Sequence, residues 1–429
     1  MNPAESPAPA ADPGAIRRPR RAALVFIFIA VVLDMLALGM IVPVLPMLVE
    51  MFEGGNAAHA AEIYGLFGTA WALMQFLASP VLGSLSDRFG RRAVILISCF
   101  GLGADYLVMA NAPSVGWLFA GRIVSGICSA TFSTAYAYIA DFAPPDERAG
   151  DYGMLSAAFG LGFVLGPALG GWLGAIGPRL PFWVAAGLSL SNAMYGLFVL
   201  PESLPPERRT ETFVWRTANP LGSIGLLRGN TELIGLAAVA FLGYVAHEAL
   251  PTVFVLYAAY RFGWGTRAVG IALAGVGAGS IIVGAGMVQP LVARFGDRRV
   301  MLLGLVFGIA GFALYGLAGT DLWFAMAIPI TGLWGLYGPP IQSLMTRCVG
   351  ESEQGRLQGA LGSVRGIAFM IGPILFTTVF AGFIDTGIFA RVNLPGAPFV
   401  VGAILLAISA AVAARATSEP GGPAPRPAA

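Results

Sequence analysis

The chain has 429 residues, is 57% hydrophobic and only 11% charged, where a soluble protein carries roughly a quarter charged residues. Its charges stand in short clusters between apolar runs of about 18 to 25 residues, the length that crosses a bilayer, so the expected fold class is an all-α integral membrane protein. A net charge of +2 with no basic stripe and no soluble domain excludes nucleic acid as a partner.

The first 22 residues are rich in Pro, Ala and Arg and end near IRRPRR. The apolar run behind them continues past 45, too long for a cleaved signal segment, and reads as span 1. Spans are expected at about 23–48, 62–83, 93–112, 115–138, 152–175 and 181–200, then at about 231–257, 268–290, 300–318, 322–344, 357–383 and 397–414. The expected organisation is an N-terminal tail (1–22), a six-helix bundle (23–200), a polar linker (201–230), a second six-helix bundle (231–415) and a C-terminal tail (416–429).

The chain has no lysine, so arginine sets the orientation. With the N-terminus in the cytoplasm, 19 of the 25 arginines fall in cytoplasmic segments. Four lie on the opposite side: Arg179, Arg261, Arg267 and Arg391. This is the positive-inside asymmetry, and an even span count puts both termini inside.

Two stretches, GSLSDRFGRR (83–92) and PLVARFGDRR (290–299), are blurred copies. Gly90 and Gly296 are 206 residues apart (296 less 90), and the same offset separates Pro167 from Pro373 and Glu147 from Glu353. Two parallel six-span halves suggest a transporter that alternates access to a midplane site.

Five charges stand inside expected spans: Asp34, Asp105, Arg122, Glu248 and Arg365. Each costs about 2.5–3.5 kcal/mol at a bilayer centre, so each must face the bundle interior or water. They read either as a proton or substrate site in a central cavity or as buried structural ion pairs. Counted alone they leave the first half with one carboxylate in excess, a group able to carry a proton. His247 stands beside Glu248.

The glycine runs at 160–171 and 275–286 lie inside apolar helices, so they read as helix-packing surfaces rather than nucleotide loops. No Gly-rich loop ending in Lys exists to bind ATP. Cys99, Cys128 and Cys348 form no metal pattern, and His59 and His247 are far apart, so no metal and no cofactor are expected.

Here the residues resemble a family. GSLSDRFGRR resembles the loop 2–3 signature of the major facilitator superfamily, and FAGRIVSG (119–126) resembles its span 4 motif. GFVLGPALGG (162–171), with Gly162, Gly166, Pro167 and Gly170, is similar to the span 5 motif of its antiporters, and LDMLALGMIVPVLPMLV (33–49) to span 1 of the twelve-span drug/proton antiporters. Within that group ADYLVMA, LPTVFVLYAAYRFGW (250–264) and QGALGSVRGIAFMIGPILF (358–376) are most like the tetracycline/proton efflux family.

The resemblance implies export of a drug-like small molecule in exchange for protons, in the cytoplasmic membrane of a bacterium, by a monomer. Asp34 and Asp105 match carboxylates that the family needs for transport, and Gln75 and Arg122 match polar cavity positions. Asp87 and Arg91 match loop charges that govern the conformational change. The expected proton-coupling set is therefore Asp34, Asp105 and Glu248. The expected cavity set is Gln75, Arg122, His247 and Arg365. The loop is expected to act as a latch: Gly83 for close approach, Asp87 to meet a helix N-terminus or an arginine of the other half, and Arg88, Arg91 and Arg92 for the anionic inner leaflet. Ala293 stands where the second copy would repeat Asp87, so an asymmetric latch is expected. The chain departs from the family in span 8, where Ser280 replaces a histidine, and in span 9, where Gly308 replaces an aspartate. Either Glu248 and Arg365 supply another charge arrangement, or coupling runs through the first half alone. The rival readings are an exporter of a sugar or metabolite, an uncoupled facilitator, and a membrane sensor or assembly factor.

Overall fold

The computed structural model describes residues 13–129, 131–143, 148–210, 222, 224–350, 353–384 and 388–417, and among them all regular structure is helical. The first half contains α1 (Pro13–Ile41), α2 (Leu45–Phe52), α3 (Ala57–Phe89), α4 (Arg91–Ala110), α5 (Val115–Cys128), α6 (Thr131–Phe142), α7 (Arg148–Ile176) and α8 (Leu180–Val199). The second contains α9 (Thr231–His247), α10 (Ala249–Phe262), α11 (Thr266–Ile281), α12 (Val288–Phe295), α13 (Asp297–Leu317), α14 (Asp321–Gly332), α15 (Gly338–Arg347), α16 (Gln354–Phe383) and α17 (Ala397–Ala416).

An apolar chain in lipid must satisfy its backbone internally, which only helices and closed barrels do. Starts are fixed by side chains that replace the missing turn: Asn56 accepts from the His59 N–H at 3.0 Å, and Asn230 from the Glu232 N–H at 2.8 Å. Among the described residues ten helical runs are long and apolar enough to cross a membrane. The two remaining expected spans, 4 and 10, are each divided. Span 4 breaks between α5 and α6, where the Ser129 hydroxyl turns back onto the Ser125 carbonyl. Span 10 breaks at a 3-10 turn over Leu333–Tyr337, between Pro329 in α14 and the prolines that open α15. The two breaks occupy the same place in the two repeats. Helix α1 begins at Pro13, inside the segment expected as an N-terminal tail.

Loops 83–92 and 290–299 turn on Gly90 and Gly296, at φ 102° and 78°, a region that costs a side chain about 1 kcal/mol or more. Trp117, Trp172, Trp183 and Trp323 are exposed, as aromatic residues at a membrane interface are expected to be.

The halves meet along α3 with α16 and α7 with α11. A Cβ built on Gly68 would stand 2.8 Å from Pro373, and the Thr69 hydroxyl donates to the Met370 carbonyl at 2.8 Å. A Cβ on Gly171 would stand 2.9 Å from the Gly270 Cα. Gly65 touches Thr377, yet Gly83, on the same face of α3 about five turns along, has nothing within 4 Å. Gly153, equally far along α7 from Gly171, also has nothing within 4 Å. The helix pairs therefore pack at the end remote from loop 83–92 and part at the end that carries it.

Candidate functional site

Asp34 stands in the last third of α1, two turns before its end, with 3% of its surface exposed. The amide of Asn192, on α8, donates to its Oδ1 and to the Ala30 carbonyl, both at 3.2 Å. The same amide lies 3.7 Å from the Cys99 sulfur of α4, and that thiol is 4.0 Å from Asp34. Three helices of the first half thus converge on one carboxylate. Asn192 was not among the residues expected from sequence. Its signal was a lone amide in an apolar span.

Asp105, on α4, is 2% exposed, and neither of its oxygens has a hydrogen-bond partner among the described residues. Gly121 of α5 leaves room for it: a Cβ there would stand 2.5 Å from Oδ1. The neighbouring Arg122 acts electrostatically on Asp105 and on Tyr64. Its guanidinium lies 5.4 Å over the Trp71 ring, whose N–H donates to the Ser125 hydroxyl at 3.1 Å. On α5, Arg122 points roughly opposite to the exposed Trp117, Val124 and Ile127, so it faces inward. Gln75 sits half-buried on α3, one turn beyond Trp71.

In the second half Glu248 occupies the junction of α9 and α10 and is 8% exposed. Gly372 of α16 packs against its side chain, where any Cβ would collide. Tyr64 of α3 packs against the apolar cores of both halves and lies within electrostatic range of Glu248 and Arg122. His247 is half-exposed, with its Nδ1 3.8 Å from Glu248 and its ring 5.9 Å from Trp334. Arg365 lies 5.9 Å over Tyr244 and 4.9 Å over Phe369.

The two departures have plain structural reasons or roles. A Cβ on Gly308 would stand 2.8 Å from the Trp334 ring, which fills the space of a longer side chain. Ser280 is exposed and spends its hydroxyl on the Val276 carbonyl at 3.0 Å. In span 5, Gly162 packs on Met35, Gly166 and Pro167 on Gly39, and Gly170 on Met40, so the glycine motif is the seam between α7 and α1.

In loop 83–92 Arg91 is the hub. It pairs with Asp87 at 2.6 Å and with Asp141 of α6 at 3.0 Å, and it donates to the Ser86 hydroxyl at 3.1 Å. Glu202 accepts its backbone N–H at 2.8 Å. Arg88 is exposed and rests on Phe89. Asp87 is thus held inside its own half, and Gly83 faces open space. At the second copy Asp297 pairs with Arg347 of α15 and accepts from Ser343 at 3.1 Å. Asp297 lies 206 residues beyond Arg91, and Arg347 lies 206 beyond Asp141. The ion pair is repeated with its charges exchanged. Ala293 at the repeat position of Asp87 gives no sign of this exchange, and nothing in the sequence alone singles out Asp141, Glu202, Asp297 or Arg347.

The family model described as Major Facilitator Superfamily matches residues 27–373 and, in a second match, 236–429. A tetracycline resistance protein, class C, of Escherichia coli is 38% identical over 365 residues, covering 85% of this chain and 91% of that protein. Hippocampus abundant transcript-like protein 1 of Homo sapiens is 30% identical over 404 residues, covering 90% of this chain and 78% of that protein. The crystal structure of the nucleoside transporter NupG superposes with a TM-score of 0.74 at 14% identity, over 93% of this chain and 100% of that one, a likeness of fold alone.

Proposed function

The chain belongs to the major facilitator superfamily of transporters, and from that premise we propose that it exports a drug-like compound, with tetracycline-type compounds among the candidates, in exchange for protons. The reading rests on one observation: Asp34, Asp105 and Glu248 are buried in two bundles whose contacts close at one end and part at the other. Intramembrane carboxylates are expensive and mark proton or substrate routes. The arginine-rich end is read as cytoplasmic, with both termini there, in the inner membrane of a bacterium. The structure is then inward-open. Bundles 23–200 and 231–415 rock about the site, linked by 201–230, and the transporter works as a single chain.

In this reading Asp34, Asp105 and Glu248 carry protons, and Gln75, Arg122, His247 and Arg365 meet the substrate. Asp87, Arg88 and Arg91, next to the open Gly83, form the latch of the cytoplasmic side. On closure Asp87 exchanges its Arg91 contact for one on the other half. One proton entering down 100 mV supplies about 2.3 kcal/mol, enough for an about 50-fold gradient of a neutral solute.

Acidified everted membrane vesicles given tetracycline with a divalent cation test this directly. Proton release is expected, lost in Asp34→Asn, and lost in Asp87→Asn with normal membrane insertion. Vesicles of folded protein that release no protons with tetracycline or a panel of other drugs would reject coupled export. Normal release by Asp87→Asn would remove the latch.

A further inference from the structure

The turn from span 5 to span 6 and the turn from span 11 to span 12 correspond in the two repeats, yet they differ in length. Helices α7 and α16 end at Ile176 and Phe383, 207 residues apart (383 less 176). Helices α8 and α17 begin at Leu180 and Ala397, 217 apart (397 less 180). The second half therefore carries ten extra residues here (217 less 207). Connecting turns are ordinarily polar. This one is not: among its described residues Ile388 is 91% exposed, Val392 62% and Phe389 52%. Large apolar side chains exposed side by side mark an interaction surface.

Both feet of the insertion are fixed. At the first, the Gly382 carbonyl accepts from the Phe389 N–H at 2.8 Å, and the Phe389 ring stacks on Phe383 at 5.0 Å. A 3-10 turn over Ala390–Val392 follows. Asn393, at φ 45°, then turns the chain toward α17, in a conformation that asparagine tolerates better than most residues. At the second foot Gly396 lies so close to Gly316, near the end of α13, that any Cβ would collide. The exposed side chains thus stand on a braced turn.

Helix α16 sets what they face. Ile371, Ile374 and Thr378 form its exposed stripe. The stripe lies on the side away from Arg365, and at the helical repeat it runs on to Gly382. Isoleucines exposed in the middle of an apolar span face acyl chains. Phe389, held on Gly382, continues that side beyond the end of the span. Exposed Leu317, Leu322 and Trp323 stand at the same end, beside the Gly316 foot. Arg391 is exposed among the apolar residues, and among the described residues it forms no ion pair. At this end α3 meets α16 and α7 meets α11, so the turn has no open mouth to cover.

We propose that residues 388–392 are a membrane anchor, seated in the headgroup region of the leaflet remote from loop 83–92. Ile388, Phe389 and Val392 dip among the ends of the acyl chains, and Arg391 reaches back to a lipid phosphate. With only residues 177–179 at the corresponding place, the first half has no such anchor. The second half is then the one held at fixed depth. The anchor requires only the membrane fold and stands whether or not the chain exports a drug.

Nitroxide accessibility tests it in the full chain, reconstituted into phosphatidylethanolamine–phosphatidylglycerol vesicles with Cys99→Ser, Cys128→Ser and Cys348→Ser. Labels at Ile388→Cys and at Val392→Cys are compared with one at His59→Cys, which is 54% exposed in the first turn of α3 at the same end. Molecular oxygen concentrates in the bilayer, and a dissolved nickel chelate stays in water. The ratio of oxygen to nickel collisions is expected to be severalfold higher at 388 and 392 than at 59. A nickel chelate carried on a lipid headgroup is expected to broaden the 388 and 392 signals. Two labelled sites keep the test decisive if one variant fails to fold, since either alone reads the turn. Dissolved nickel reaching the turn as freely as it reaches residue 59 overturns the proposal. So does a turn shielded from oxygen and from both nickel chelates, which would mean that protein covers it, a second copy included.

Discussion

The two repeated loops hold the same ion pair with opposite polarity, and the difference shows what each half needs. In both, the first residue of a helix is tied to the end of the following span: Arg91 of α4 to Asp141, Asp297 of α13 to Arg347. A helix start favours negative charge. Asp297 suits that position, and one arginine and Ser343 complete its surroundings. Arg91 opposes it. It is held by Asp141, Asp87 and Ser86, while Glu202 takes its backbone N–H. The first loop is a network because its central charge stands at the unfavourable end of a helix dipole. The second is a simple pair. A network that includes a half-exposed, exchangeable Asp87 can serve as a latch. The second loop offers no such member.

The comparison breaks most severely under charge reversal. Arg91 and Asp141 are 11% and 17% exposed. Arg91→Asp places like charges together there, and disrupting a buried pair in this way costs about 3–5 kcal/mol. Most of the protein is expected to be lost on detergent extraction. Adding Asp141→Arg, which copies the polarity of the second loop, should recover more than half of the loss, measured as the monodisperse fraction. Arg347→Gln in the second loop should cost less than Arg91→Asp, because that arginine is 67% exposed and Ser343 still donates to Asp297. A double variant no better than the single one would make the exchanged polarity a coincidence.

A second contrast is sharpened at Asn192. The first half surrounds Asp34 with an amide and a thiol, the amide also reaching a backbone carbonyl, whereas in the second half the buried Trp334 and Tyr337 donors have no partner among the described residues. A hydrogen bond to a charged group is worth about 1.5–3 kcal/mol. Asn192→Leu, close in size, is expected to lower proton-coupled uptake at least tenfold. Exchange of labelled for unlabelled substrate, which moves no net proton, should fall much less. Equal losses in the two assays would mean that Asn192 only packs the helices.

Sequence patterning made the fold legible because bilayer length, arginine bias and a constant offset are properties of single positions. The offset of 206 even located the exchanged pair, once both of its ends were known. What it could not convey was partnership across helices. Asn192 is 158 residues from Asp34, and nothing in span 6 alone says which carboxylate it meets. Gly308 read as a missing acid, when it is the floor beneath Trp334. The breaks in spans 4 and 10 also escaped, because hydropathy averages across a kink. The carboxylates were found because charge in an apolar run is costly wherever it packs.

The smallest expected effect discriminates most finely between the loops. Gly90 and Gly296 both turn at positive φ, so an alanine at either strains the backbone by about 1 kcal/mol. Only Gly90 is also enclosed, since any Cβ there would collide with the Glu202 carboxylate that caps α4 and accepts from Ser203 and Leu204. Gly296 has nothing within 4 Å. Gly90→Ala should therefore lower thermal stability in detergent by more than Gly296→Ala. The excess should vanish when Glu202→Ala is introduced first, because the collision and the cap are then both gone. If the two alanines cost the same with Glu202 in place, the linker carboxylate does not brace the first loop, and the asymmetry of the two ends lies in Arg91 and its acids alone.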